Sequence, residues 1–159
     1  MTSTTARQLE KGDIPQLAQL EKQVFGPEAW SPDVLAEELD SPWGDYLGVF
    51  TGDDSELVAY AGIKGVEEGD LMTLAVAEGW RRKGLGRSLT SDLLARAQAR
   101  GMKKVFLEVR ASNLGAQELY LGLGFVRLGV VRDYYRLPTE DAITMLWECQ
   151  RTQNGGPAS

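Results

Sequence analysis

The run Arg81-Arg82-Lys83-Gly84-Leu85-Gly86-Arg87 packs four cations and two glycines into seven positions. Before it, Leu71 to Val76 has the apolar character of a strand; after it, Leu85, Leu89, Leu93 and Leu94 recur on one side of a helical pattern. A strand, a basic glycine turn and a helix start together form an anion site. The first N–H groups of a helix have no partners within it and point outward. The helix dipole adds about half a positive charge at that end. Gly84 and Gly86 carry no side chain that would keep a phosphate from the backbone. The anion that fits is the pyrophosphate of a cofactor. The run is not a P-loop, which needs Gly-x-x-x-x-Gly-Lys-Ser/Thr. Nor is it a dinucleotide fingerprint: Ser88 and Leu89 stand where a third glycine is needed, and no β-α-β unit opens the chain.

On the N-terminal side, Thr4 to Leu9 reads as a short strand, and Asp13 as the cap of a helix from Ile14 to Phe25 with Leu17, Leu20 and Val24 inward. Gly26-Pro27 stops that helix. Ser31-Pro32 starts a second, with the serine as its cap, the proline in its first turn, and Val34, Leu35 and Leu39 as its apolar face. Tyr46 to Phe50 and Leu57 to Ile63 form a hairpin about Gly52-Asp53-Asp54-Ser55, and Glu67-Glu68-Gly69-Asp70 is expected as the next turn. On the C-terminal side, the helix from Gly84 ends near Arg100-Gly101. Lys104 to Arg110 alternates as a strand, Asn113 caps a helix through Leu123, and Phe125 to Val131 pairs with Ala142 to Cys149. The order β-α-α-β-β-β-α-β-α-β-β predicts an α/β (α+β) fold with a mixed sheet of about seven strands flanked by about four helices. Residues 1–149 read as one domain, and 150–159, polar with Gly-Gly-Pro, as a disordered tail.

Composition narrows the chemistry. The 159 residues suit one domain with a sizeable core. There is no signal peptide pattern and no apolar run of the ~18 residues a membrane span needs, so no membrane partner is expected. A single cysteine, Cys149, excludes an internal disulfide and makes a reducing cytoplasm the expected location. The net charge of −6 argues against nucleic acid as a partner and suits a basic peptide or amine, although solubility alone also accounts for it. Histidine is absent, which removes Ser–His–Asp and Cys–His catalysis and the commonest metal ligand. A general base must come from Glu, Asp, Tyr, Cys, Lys or a water chain. Cys149, with no histidine to activate it, reads as a buried apolar residue.

Leu74-Ala75-Val76 followed by Arg82-Lys83-Gly84-Leu85-Gly86-Arg87 resembles motif A of the Gcn5-related N-acetyltransferases, whose (Arg/Gln)-x-x-Gly-x-(Gly/Ala) pattern cradles the acetyl-CoA pyrophosphate. Leu107-Glu108-Val109-Arg110-Ala111-Ser112-Asn113, then Leu119-Tyr120 and Leu123-Gly124-Phe125, is similar to the RimI branch, the N-terminal alanine acetyltransferases of a small-subunit ribosomal protein. Trp30-Ser31, Arg132-Asp133-Tyr134-Tyr135 and Glu140-Asp141-Ala142 also fit that branch. The chain departs from it in two places, both on the acceptor side: Phe-Pro-Trp-Ser becomes Phe25-Gly26-Pro27-Glu28-Ala29-Trp30-Ser31, and Arg136 replaces a proline after the tyrosine pair.

The resemblance implies acetyl-CoA as cosubstrate and no metal. It assigns the pyrophosphate to Arg81, Arg82, Lys83, Gly84, Leu85, Gly86, Arg87 and Ser88. The pantetheine arm falls to the backbone of Leu74, Ala75 and Val76, as a strand-like addition, and to Asn113 and Tyr120. Glu108 interrupts an apolar strand, where an isolated carboxylate is costly unless paired or wetted. It pairs with Arg110, two residues on along the same face, or it serves as general base; the resemblance implies the base. Tyr120 is either core or the acid that meets the departing CoA thiolate, the role the branch gives it. Trp30, Tyr134 and Tyr135 either line the acceptor groove, together with Glu108, or pack as ordinary aromatics. The implied reaction is direct acetyl transfer to a protein N-terminal α-amine, with a small-subunit ribosomal protein as the first candidate. Acetylation of lysine or of a small amine or antibiotic, and CoA sensing without turnover, are the other readings.

Overall fold

The structure is a computed structural model describing residues 3–53 and 55–149. The expected disordered tail, 150–159, and Asp54 lie outside the described residues. The elements follow the expected order: β1 (Thr4–Gln8), α1 (Ile14–Phe25), α2 (Pro32–Asp40), β2 (Gly44–Thr51), β3 (Leu57–Gly65), β4 (Glu68–Val76), α3 (Leu85–Ala99), β5 (Lys104–Arg110), α4 (Leu114–Gly122), β6 (Val126–Arg136) and β7 (Thr139–Glu148). The strands hydrogen bond in the order β1-β2-β3-β4-β5-β7-β6. β4 and β5 are parallel, whereas β1/β2, β2/β3, β5/β7 and β6/β7 are antiparallel, which is the mixed sheet predicted. Among the described residues, no helix is long and apolar enough to cross a membrane.

The chain packs as two compact units. The first holds the residues up to Lys64 together with Leu71–Leu93. Its core gathers Leu17 and Leu20 of α1 and Leu35 of α2 with Tyr46 and Phe50 of β2, Leu57 and Tyr60 of β3, and Ala75 of β4. The i, i+3 spacing of the two α1 leucines puts both on the inner face. Ser31 caps α2 as predicted, its Oγ accepting from the Val34 N–H at 3.2 Å. Asp13 does not cap α1. Its carboxylate accepts from Arg7 at 2.9 and 3.0 Å and from the Glu10 N–H at 2.8 Å, so its acceptor capacity is spent on the preceding turn. The Arg7 fork, with the backbone bond, holds the Asp13 carboxyl below its usual pKa.

The second unit holds Gly65–Asp70 and the chain from Leu94 onward. Glu68, Gly69 and Asp70, expected as a turn, are strand residues that pair in parallel with Lys104, Val105 and Phe106. The reversal is made earlier and more tightly, at Val66 and Glu67, just after Gly65, where a Cβ would collide with the backbone of Glu68 and Gly69. Main-chain pairing with β5 outweighs the turn propensity of the Glu-Gly-Asp run. On β5, Val105, Leu107 and Val109 are buried while Glu108 is exposed, the alternation that the sequence predicts. β6 and β7 are longer than expected, so Tyr134 and Tyr135 lie within β6 rather than beyond its end.

Candidate active site

The basic turn lies in the first unit. It connects β4 through a 3-10 turn, Glu78–Trp80, to α3. Arg82 and Gly84 both take the left-handed region, at φ 64° and 81°, and this curls the chain before Leu85 begins the helix. For Arg82 that conformation carries a steric cost; for Gly84 it carries none. A Cβ built on Gly84 meets nothing within 4 Å, so open space lies before the turn. Arg82, Lys83, Arg87 and Ser88 are exposed around it. Gly86 is buried, and its carbonyl accepts from Thr90 Oγ1 at 2.8 Å, which ties off the first turn of α3. The donor set, the open space and the helix start fit a pyrophosphate. Arg81 Nε donates to the Val76 carbonyl at 3.1 Å, bracing the end of β4. Among the described residues, no group of three or more His, Cys, Asp or Glu side chains is placed to hold a metal.

Glu108 lies in the second unit. Asp70 stands opposite Phe106 in the β4/β5 ladder, and Glu108 is two residues further along β5, so both carboxylates occupy one face. Loss of solvent raises the Glu108 pKa, the Asp70 charge raises it further, and a hydrogen bond from Tyr134 opposes both. Loss of solvent also raises the Asp70 pKa. For Tyr134, burial and then the Glu108 charge keep the phenol protonated. Arg110 pairs with Glu140 at 3.2 Å and lies 4.3 Å over the Tyr135 ring. The Glu140 carboxylate also accepts from the Ser112 N–H at 2.6 Å. Asp70 ends a Glu-Gly-Asp run with the character of a turn; only strand pairing gives it a face and a neighbour.

Tyr120 is buried on α4, its ring 5.6 Å from that of Phe125. Burial pushes its phenol well above the usual range, and Tyr135 adds to the shift. The hydroxyl therefore stays protonated. Asn113 caps α4 as predicted, its Oδ1 accepting from the Ala116 N–H at 3.1 Å. Trp30, in the first unit, packs its side chain against the core there, and its backbone N–H donates to Glu21 Oε1 at 2.8 Å. Glu21, on α1, carries no local sequence signal of its buried place. It is only 1% exposed, and its carboxyl also accepts from Tyr60 of β3 and Thr73 of β4. Burial raises its pKa, and those donors oppose the rise.

The strand, the basic left-handed turn and the helix start all lie within residues 14–125, which match the profile of the Acetyltransferase (GNAT) family, and the chain belongs to that family. Within that family it is an N-acetyltransferase of the RimI-like branch. It is 37% identical to the N-alpha-acetyltransferase RimI of Mycobacterium tuberculosis, over 94% of this chain and 92% of the relative. It is 34% identical to the [ribosomal protein bS18]-alanine N-acetyltransferase of Escherichia coli K12, over 89% and 95% of the two chains. The crystal structure of the ribosomal-protein-S18-alanine N-acetyltransferase from Escherichia coli superposes with a TM-score of 0.83 at 30% identity, covering 92% of this chain and 94% of that one.

Proposed function

We propose that residues 1–149 act as one acetyltransferase domain that transfers the acetyl group of acetyl-CoA to a protein N-terminal α-amine. The first candidate acceptor is the N-terminal alanine of a small-subunit ribosomal protein; the names of the Escherichia coli relatives print an alanine of ribosomal protein bS18. The observation that carries this reading is Glu108, a carboxylate of raised pKa sharing a sheet face with Asp70 and hydrogen bonded by Tyr134.

Acetyl-CoA supplies the acetyl thioester. Arg82, Lys83, Arg87 and the backbone from Gly84 to Ser88 hold its pyrophosphate, and the backbone of Leu74–Val76 and Asn113 orient its arm. Glu108, directly or through a water, accepts the proton of the acceptor ammonium, because only a neutral amine attacks a thioester. An α-amine with a pKa near ~8 is about one-tenth neutral at pH 7, whereas lysine near ~10.4 is neutral to only about one part in a thousand. A carboxylate of raised pKa therefore serves an α-amine more readily than a lysine. Tyr120 donates a hydrogen bond to the departing thiolate. Trp30, Tyr134 and Tyr135 face the acceptor peptide, whose basic character the net charge of −6 favours.

Two peptides test the acceptor by mass spectrometry. One carries the free N-terminus of the organism's own ribosomal candidate; the other has that terminus blocked and keeps its lysines. Acetylation of the first alone is expected. Modification of the blocked peptide moves the reading to lysine. Modification of neither, with acetyl-CoA still bound, moves it to a small amine or a sensor.

The flanking groups give Glu108 a testable pH signature. The base must be ionised to act, so kcat/KM rises with pH through the Glu108 pKa. Asp70→Asn removes a charge that raises this pKa, so the acid limb of the profile is expected to shift to lower pH. Tyr134→Phe removes the hydrogen bond that lowers it, so the limb is expected to shift the other way. Measured with one acceptor, opposite displacements support Glu108 as the titrating base; no displacement in either variant rules it out.

A further inference from the structure

Glu21 sits in the second half of α1 among apolar neighbours and is 1% exposed. Burying a carboxylate is costly unless its oxygens are filled by donors. Here they are filled from three separate places. The Trp30 backbone N–H donates to Oε1 at 2.8 Å, the fully buried Tyr60 hydroxyl of β3 donates to Oε2, and the Thr73 side chain of β4 donates as well. A carboxylate suits this place because it only accepts, whereas an amide would present hydrogens to at least one of these donors.

The three donors do not have equal standing. Tyr60 and Thr73 belong to strands whose positions are set by the sheet. Trp30 lies between the 3-10 turn Gly26–Glu28 and the start of α2, in the segment where the chain departs from the RimI pattern. Its N–H belongs to no helix or ladder. The 2.8 Å bond to Glu21 therefore anchors a loop backbone to β3 and β4 at one carboxyl group. Thr73 is also the residue before Leu74, where the backbone assigned to the pantetheine arm begins.

We propose that Glu21 is the positioning residue of the acceptor loop: by binding the Trp30 backbone to Tyr60 and Thr73, it fixes residues 26–31 in the conformation that receives the acceptor peptide. The proposal rests on the reading of Trp30 as part of the acceptor side. Glu21 is 1% exposed and its oxygens are taken by Trp30, Tyr60 and Thr73, so its loss weakens acceptor binding and leaves the chemical step alone.

The test is a series at position 21 in the full chain, with kcat, acceptor KM, acetyl-CoA Kd and melting temperature measured for each protein. Glu21→Gln keeps the shape and an acceptor oxygen but loses the charge; a charge-assisted bond is roughly twice as strong as a neutral one, so acceptor KM is expected to rise about fivefold. Glu21→Met keeps the volume and removes the acceptor, and acceptor KM is expected to rise at least about tenfold. In both, kcat and acetyl-CoA Kd are expected to stay within about twofold of wild type. A merely structural role would lower melting temperature without this graded split. Should Glu21→Met fail to fold, Glu21→Gln decides alone. An unchanged acceptor KM overturns the proposal, as does a parallel loss of acceptor and acetyl-CoA affinity. If the wild-type chain acetylates no peptide N-terminus, the functional reading fails and takes the proposal with it. If wild type turns over and only the position 21 series is flat, the positioning role alone falls.

Discussion

Glu108→Gln is expected to lower turnover by about 10²–10⁴-fold while acetyl-CoA Kd stays within about twofold, the range associated with loss of a general base. The substitution is close to isosteric. Its amide oxygen still accepts from Tyr134, so the local geometry survives while proton acceptance is lost. Glu108 is exposed on β5, opposite the face that buries Val105, Leu107 and Val109, so the change removes no core packing. Loss of solvent and the Asp70 charge favour proton uptake by the native carboxylate, and an amide has nothing equivalent to offer. Steady-state turnover with a peptide acceptor and calorimetric titration of acetyl-CoA read the two quantities separately. Unchanged turnover would remove Glu108 from the mechanism and leave the chain without an identified base.

Gly84→Val produces the opposite division. Acetyl-CoA Kd is expected to rise about 10–100-fold, because hydrogen bonds to charged groups contribute about 1.5–3 kcal/mol each and the new side chain displaces at least one. Gly84 takes φ 81°, a region that costs a residue with a Cβ roughly 1–2 kcal/mol. The added atoms meet nothing within 4 Å in the protein, so they project into the space assigned to the phosphate rather than into the core. Position 84 is more informative than position 86. Gly86 is buried, and a bulky residue there confounds lost binding with disturbed packing. An unaltered acetyl-CoA Kd, with melting temperature lowered only by the backbone strain, would refute the phosphate cradle.

The element order, the Ser31 and Asn113 caps, the basic turn before α3 and the outward strand position of Glu108 were legible from residues alone. Each depends on neighbours a few positions apart: a cap on the N–H three residues on, an amphipathic face on the helical period, an inward strand face on alternation. Asp13 shows the limit of such reading. It has the residue type of a cap, but Arg7 of the first strand and the Glu10 N–H claim its carboxylate instead. Arg110 shows the same limit. Spacing suggested Glu108 as its partner, yet Glu140 on β7, thirty positions away, pairs with it.

What tertiary structure alone decided is which polar groups meet. Asp70 shares a face with Glu108 because Glu68–Asp70 enter a parallel ladder with β5, a pairing no local signal in a Glu-Gly-Asp run announces. Glu21 and Tyr60 lie 39 positions apart and form one buried pair because α1 packs on the sheet. Chain-local chemistry specified the elements and the basic turn before α3. The surroundings of the two key carboxylates, and so their protonation and their reach, came from contacts between elements distant in sequence, where desolvation and neighbouring charge act through space rather than along the chain.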